Sequence, residues 1–218
     1  MTLPTLFITS FLLGFSGAMM PGPLLTVNIH ESYRRGIIAG PLLILGHAIL
    51  ESLLVIGLTM GLDALLVQPL FKGSIALIGG VVLLWMGWGM ARDSRLGRVS
   101  LELAADGAIK GMSPVVAGIV VSLSNPYWIL WWATIGLTYV VLATQQGMLA
   151  LVVFLTGHLL ADLIWYSAVS FAVVSGKKLV SDNVYRGILV VCGLFLLALA
   201  LYFIWSGVTF LIGIGNGA

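Results

Sequence analysis

The sequence predicts an all-α integral membrane protein of six transmembrane helices, arranged as two inverted three-helix repeats, with spans one and four broken at proline. Three observations carry that expectation. The composition suits lipid rather than water, the basic residues are lopsided along the chain, and a polar motif recurs 111 residues apart.

Of 218 residues, 60% are hydrophobic and only 8% charged, and mean hydropathy is +1.13. Soluble domains carry about 25% charged residues, so a water-soluble chain of this size would lack the polar surface to cover its apolar area. The net charge is only +2, and no cluster of basic and aromatic residues offers a nucleic-acid surface. The single cysteine, Cys192, lies in an apolar run and has no partner for an internal disulfide. No motif calls for a cofactor.

Six apolar stretches meet the roughly 20-residue requirement for a membrane helix: 3–30, 37–62, 70–90, 113–143, 148–174 and 187–212. The first has no basic n-region and no well-placed small-x-small site, so it reads as a retained span rather than a signal peptide. Polar punctuation separates the six, and the longest and most charged interruption runs from Arg92 to Lys110. The chain thus divides into a first three-span repeat, 1–90, a cytoplasmic linker, 91–112, and a second repeat, 113–218.

With the six spans alternating in direction, Arg34, Arg35, Arg92, Arg95, Arg98, Lys110, Lys177, Lys178 and Arg186 fall on one side and only Lys72 on the other. Cytoplasmic loops carry the excess of Lys and Arg. The expectation is an integral plasma (inner) membrane protein with both termini on the non-cytoplasmic side.

Span two contains Gly46-His47-Ala48-Ile49-Leu50-Glu51, and span five contains Gly157-His158-Leu159-Leu160-Ala161-Asp162. Span one carries Pro21-Gly22-Pro23, and span four carries Asn125-Pro126 at a displacement of 103 to 105 residues. Two features in the same order at nearly the same spacing point to duplication of a three-span unit. An odd number of spans forces the copy to run in the opposite sense, an arrangement that puts a transporter's substrate near the midplane between the copies.

Two groups of residues carry chemistry. His47 with Glu51, and His158 with Asp162, are each one helical turn apart and share a helix face. A carboxylate deep in hydrocarbon costs at least a few kcal/mol unless paired, hydrated or protonated. Such a group either couples to protons or locks two helices together. The prolines form the second group. Proline removes a backbone donor, so the breaks at Pro21-Gly22-Pro23 and at Asn125-Pro126-Tyr127 free carbonyls and N–H groups that must be buried or line a wet cavity. Helix N-termini suit a carboxylate. The aromatics Trp128, Trp131, Trp132, Trp165 and Tyr166 lie too deep for an interfacial belt and are expected to pack or line a cavity. Gly36-x-x-x-Gly40, Gly57-x-x-x-Gly61 and Gly118-x-x-x-Ser122 read as close-packing faces.

Gly14-Phe15-Ser16-Gly17 leading into Pro21-Gly22-Pro23, Arg35-Gly36 before span two, Asn125-Pro126 in span four, and Asp162 with Tyr166 in span five together resemble the LysE/RhtB amino-acid exporter family over essentially the whole chain. The resemblance implies a secondary exporter of amino acids or amino-acid-like metabolites, proton-coupled and often homodimeric. The chain departs from the family pattern at Leu24, where Asn is frequent, at Tyr127, where Lys is frequent, and in the added polar groups His47, Glu51 and His158.

The leading expectation gives Pro21, Gly22, Pro23, Asn125, Pro126 and Tyr127 to a small-molecule substrate, and His47, Glu51, His158 and Asp162 to the coupling proton. The alternative is a divalent metal ion transporter that uses those same four side chains as ligands. An intramembrane enzyme has little behind it. Gly14-Phe15-Ser16-Gly17 fits a G-x-S-G pattern without further context, and His30-Glu31 is followed at position 34 by Arg34 rather than a second metal-binding histidine.

Overall fold

The structure is a computed structural model that describes residues 1–62, 68–98, 112–176 and 181–215. Lys110, Lys177, Lys178 and most of the 91–112 linker lie outside the described residues. Helix is the only regular structure among them, as an apolar solvent demands, because lipid cannot satisfy an open backbone.

In chain order the elements are α1 (Leu3–Ala18), α2 (Pro23–Arg35), α3 (Ala39–Gly57), α4 (Pro69–Arg95), α5 (Pro114–Leu123), α6 (Pro126–Trp131), α7 (Leu137–Thr144), α8 (Met148–Ser175) and α9 (Asp182–Gly215). Wide π-helical turns extend α3 over Leu58–Leu62 and join α6 to α7 over Trp132–Gly136. Among the described residues five stretches are long and apolar enough to cross a bilayer: Ala39–Gly61, Gly73–Arg95, Tyr127–Thr144, Met148–Ser175 and Asp182–Gly213. The α1–α2 pair, bent by 76° across Met19–Gly22, makes a sixth when counted as one span.

Local chemistry sets the helix ends. Thr2, Ser113 and Asn125 cap α1, α5 and α6 with their side chains, each just ahead of a proline in the first turn. α2 also starts on proline, but Gly22 before it offers no side chain. Gly36 (φ 84°) ends α2, and Gly147 (φ 98°) turns the chain between α7 and α8, both in the left-handed region that favours glycine.

The structure corrects three details of the sequence reading. α4 runs past residue 90 to Arg95, and α9 starts at Asp182 rather than 187. Hydropathy marks where apolar side chains stop, whereas backbone hydrogen bonding continues among charged residues at the membrane surface. Gly36 and Gly61 are not packing glycines: their φ values are 84° and 111°, and a Cβ at either would meet nothing within 4 Å.

Helix pairing crosses between the halves. α1 packs on α8, α3 on α5, and α4 on α9. Small residues let the backbones touch: a Cβ at Gly46 would strike the Val115 carbonyl of α5, and one at Gly118 would strike the Leu43 carbonyl of α3. Leu6, Val55, Trp132, Leu137 and Phe154 form one buried cluster, and Ala18, Leu24, Leu43, Ala117 and Tyr166 form another.

A polar seam joins α2 to α8. Asn28 donates to the Tyr166 carbonyl at 3.0 Å, the Ser170 hydroxyl donates to Asn28 Oδ1 at 3.0 Å, and Ser32 donates to Ser170 at 2.8 Å. Beside it, buried Glu31 accepts from Arg34 and Arg35, and Arg35 also reaches the Met112 carbonyl.

The α3–α5 approach yields the first prediction. Gly46→Val should lower the melting temperature of the detergent-purified protein by several degrees or prevent folding, because overpacking costs about 1–3 kcal/mol even where neighbours are side chains, and here the neighbour is backbone. Gly89→Ala, where a Cβ meets nothing within 4 Å, should be close to neutral. Fluorescence-detected thermal unfolding of both variants checks this.

Candidate functional site

The site forms where α3 and α8 meet, beside the starts of α2 and α6. On α3, His47 and Glu51 stand one turn apart; on α8, His158 and Asp162 do the same. The close approach at Gly118 brings Ser122 of α5 to His47, whose Nδ1 lies 2.7 Å from the Ser122 hydroxyl. A Cβ at Gly14 of α1 would come within 2.7 Å of His158 Nδ1, so glycine there makes room for the imidazole.

All four side chains are at least nine-tenths buried, and they pair across the two helices as well as along them. His47 Nε2 is 3.0 Å from Glu51 Oε1 and 3.6 Å from Asp162 Oδ2. His158 Nε2 is 3.1 Å from Glu51 Oε2 and 3.6 Å from Asp162 Oδ2. Each histidine therefore stands between both carboxylates.

Glu51 is the most enclosed of the four. Trp128 and Trp132, one turn apart on the fourth span, both donate their indole N–H to Glu51 Oε1, at 2.9 and 2.8 Å. Trp131, between them, stacks on the His158 ring with centroids 4.5 Å apart, and Trp132 meets that ring edge-on at 5.5 Å. The π-helical turn starts at Trp132, an irregularity common at functional sites. Asp162 Oδ2, Glu51 Oε2 and His158 Nδ1 are buried without a hydrogen-bond partner, an unusual count for one site.

A central cavity of about 70 Å³, room for a few water molecules, opens onto this cluster. Pro21, Gly22, Pro23, Asn125 and Tyr127 line it together with His47, Glu51, His158 and Asp162. The structure thus brings nine of the ten residues singled out in the sequence to one cavity. Pro126 is described here only as the first residue of α6. The two helix starts differ: Asn125 Oδ1 already accepts the Tyr127 N–H at 3.1 Å, whereas no side chain caps α2.

Sequence reasoning missed Ser122 as a partner of His47, and it assigned Trp128 and Trp132 to packing or lining rather than to Glu51. The i, i+4 spacing of the two tryptophans, matching the spacing of His47 and Glu51, was the available signal. It also missed the Asn28–Ser32–Ser170 seam, in which Asn28 and Ser32 stand one turn apart on α2 and meet Ser170 of α8.

The indole–carboxylate pair can be measured. A hydrogen bond to a charged group is worth about 1.5–3 kcal/mol, so Trp132→Phe should destabilise the parent protein by about that much. In a Glu51→Gln background the same substitution should cost less, giving a coupling of about 0.5–3 kcal/mol. A double-mutant cycle on unfolding in detergent reads it.

Similarity to known proteins agrees with the geometry. The chain is 25% identical over 210 residues to YcgF of Bacillus subtilis (strain 168), named as a candidate amino acid efflux protein, with 95% of this chain and 99% of YcgF covered. It is 30% identical over 202 residues to ChpE of Pseudomonas aeruginosa, named a chemotactic transduction protein, with 89% of this chain and 95% of ChpE covered. No solved structure matches significantly. Residues 15–207 match the family model described as LysE type translocator, and the chain accordingly belongs to the LysE translocator family, an integral membrane transporter rather than an enzyme.

Proposed function

We propose that this chain is a secondary active exporter of amino acids or amino-acid-like metabolites, driven by protons. The observation that carries the reading is one cavity lined both by an uncapped helix start at Gly22-Pro23 and by the buried carboxylates Glu51 and Asp162. A zwitterion needs that pair of features. Its carboxylate meets the N-terminal N–H groups of α2, where the helix dipole favours negative charge, and its ammonium faces the acidic cluster. Tyr127 and Asn125 close the other side of the substrate. Among the described residues no lysine or arginine lines the cavity, so the substrate carboxylate is met by dipoles rather than by a full charge, which suits release.

In this reading His47, Glu51, His158 and Asp162 also carry the coupling proton, since each histidine bridges two carboxylates. The inverted repeat is supported by the pairing of α1 with α8, α3 with α5 and α4 with α9, which exchanging the halves maps onto itself. The backbone interruptions before Pro23 and Pro126 are then the two symmetry-related breaks near the midplane. All six arginines belong to one end in this scheme: Arg35 reaches Met112 ahead of α5, and Arg186 reaches Gly97 after α4. We assign that end to the cytoplasm of a plasma (inner) membrane, both termini to the other side, and a homodimeric state by family resemblance.

A divalent metal transporter is the second reading, favoured by ligand atoms of His47, Glu51 and Asp162 that lie within 4.8 Å of one another. It leaves the uncapped start of α2 without a role.

Uptake into inverted vesicles, with a panel of amino acids and divalent metals and with and without a pH gradient, separates the two. The exporter reading expects gradient-dependent uptake of at least one amino acid. Asp162→Asn should reduce that uptake by at least about tenfold, an effect equivalent to about 1.4 kcal/mol, while substrate counterflow partly survives. Metal uptake with no amino-acid uptake would replace this reading with the second.

For orientation, a cysteine at Arg98 in a Cys192→Ala background should resist an impermeant maleimide added to intact cells and react in inverted vesicles. Labelling from outside would reverse the assignment.

A further inference from the structure

We propose that the His47–Glu51–His158–Asp162 cluster is a binding site for a divalent transition metal of zinc type, and that an ion held there locks α3 to α8 and stops transport. The locking part rests on the exporter reading; the binding part does not.

The ligand geometry comes first. Zinc takes histidine nitrogen and carboxylate oxygen at about 2.0–2.2 Å in a tetrahedral array, which sets ligand–ligand edges of about 3.3–3.6 Å. With Glu51 Oε2 as the free carboxylate ligand, His158 Nε2 lies 3.1 Å from it, and His47 Nε2 and His158 Nε2 each lie 3.6 Å from Asp162 Oδ2. His47, Glu51 and Asp162 each offer one ligand atom within 4.8 Å of the others, and His158 Nε2 stands beside both carboxylates to supply a fourth.

The surroundings are those of a held ligand set. Metal-bound histidines and carboxylates are usually fixed by hydrogen bonds from behind. Ser122 holds His47 at Nδ1 and leaves Nε2 turned inward. Trp128 and Trp132 occupy Glu51 Oε1 and leave Oε2 unpartnered. Asp162 Oδ2 is likewise buried, unpartnered and aimed at both imidazoles.

Charge supplies the independent argument. Glu51 and Asp162 are carboxylates buried side by side among the helices, and buried carboxylate oxygens call for a cationic partner. A proton meets the demand during transport. A divalent ion meets it more completely, because one ion takes up the lone pairs of ligands on both helices. It also occupies the carboxylates offered to a substrate ammonium, so metal and substrate exclude one another.

Cobalt(II) substitution tests the site with the full-length protein, purified in detergent and freed of any oligohistidine tag. The expected result is one Co²⁺ per chain with the intense visible d–d bands of tetrahedral coordination, bleached by Zn²⁺. His30→Ala, which removes the chain's third histidine, should leave the bands intact. His47→Ala and Asp162→Asn should abolish them, and Ser122→Ala should weaken affinity about 10–100-fold. If one ligand variant fails to elute as a folded species, His158→Gln supplies the same readout. In inverted vesicles Zn²⁺ should halt amino-acid uptake, and chelator should restore it.

Bands that are absent, octahedral, or unchanged in the ligand variants would overturn the site. Binding without inhibition, or accumulation of ⁶⁵Zn²⁺ in the vesicles, would overturn the lock. Absence of amino-acid uptake in the metal-free parent would count against the exporter reading alone, since the cobalt spectra do not depend on transport.

Discussion

The structure turns on one carboxylate withdrawn from bulk solvent. Glu51 is 1% exposed, at a depth where an uncompensated charge costs at least a few kcal/mol. Every neighbouring element contributes to its compensation. α3 supplies His47, α8 supplies His158, and the fourth span supplies two indole donors. Those donors must come from side chains one turn apart on one face, which fixes the rotation of the fourth span about its axis. The His158 ring must be reachable from α3, which fixes the depth of α8. Burying one acidic side chain thus specifies the relative placement of three helices, a demand that apolar packing in lipid would not impose, since lipid tails are as apolar as leucine.

The same constraint explains the distribution of small residues. Glycines 46 and 118 bring α3 and α5 to backbone contact, and Gly14 gives His158 its space. Larger residues at these positions would hold the helices apart and leave the polar groups too distant to pair. Close packing is therefore the means by which polar atoms at membrane depth find partners, and the glycines belong to the electrostatics as much as to the core.

Much of this was legible in the sequence, for physical reasons that can be named. The spans were visible because a bilayer sets a length and an apolar content that few other environments require. His47 with Glu51, and His158 with Asp162, stood out because charge at membrane depth is costly enough to need a reason. One site or two separate pairs both fitted the sequence, and the distances bring all four side chains together. The indole donors were less legible, because tryptophan is both a packing residue and a donor, and only the third dimension reveals which oxygen it meets. Asn28, Ser32 and Ser170 were invisible for a related reason: small polar side chains in membrane helices commonly bond their own backbone, and nothing in the chain announces a bond to a partner 138 residues away. The helix ends at Arg95 and Asp182 escaped because hydropathy reports side-chain solvation, not backbone continuity.

The short link Met19–Gly22 has a mechanical consequence. α2 has 13 residues, so at about 1.5 Å per residue it is a rod roughly 20 Å long. The link gives it a fulcrum at one end, and its distal turns carry the Asn28 and Ser32 contacts to α8. A tilt of about 10° displaces the far tip of a 20 Å rod by about 3.5 Å, more than the slack a hydrogen bond tolerates. The leverage is unequal along the rod: the tip moves most, and the turn beside the cavity hardly at all. The Asn28 and Ser32 bonds to α8 therefore hold α2 against tilting, and the turn beside the cavity is the part of the rod a tilt would displace least.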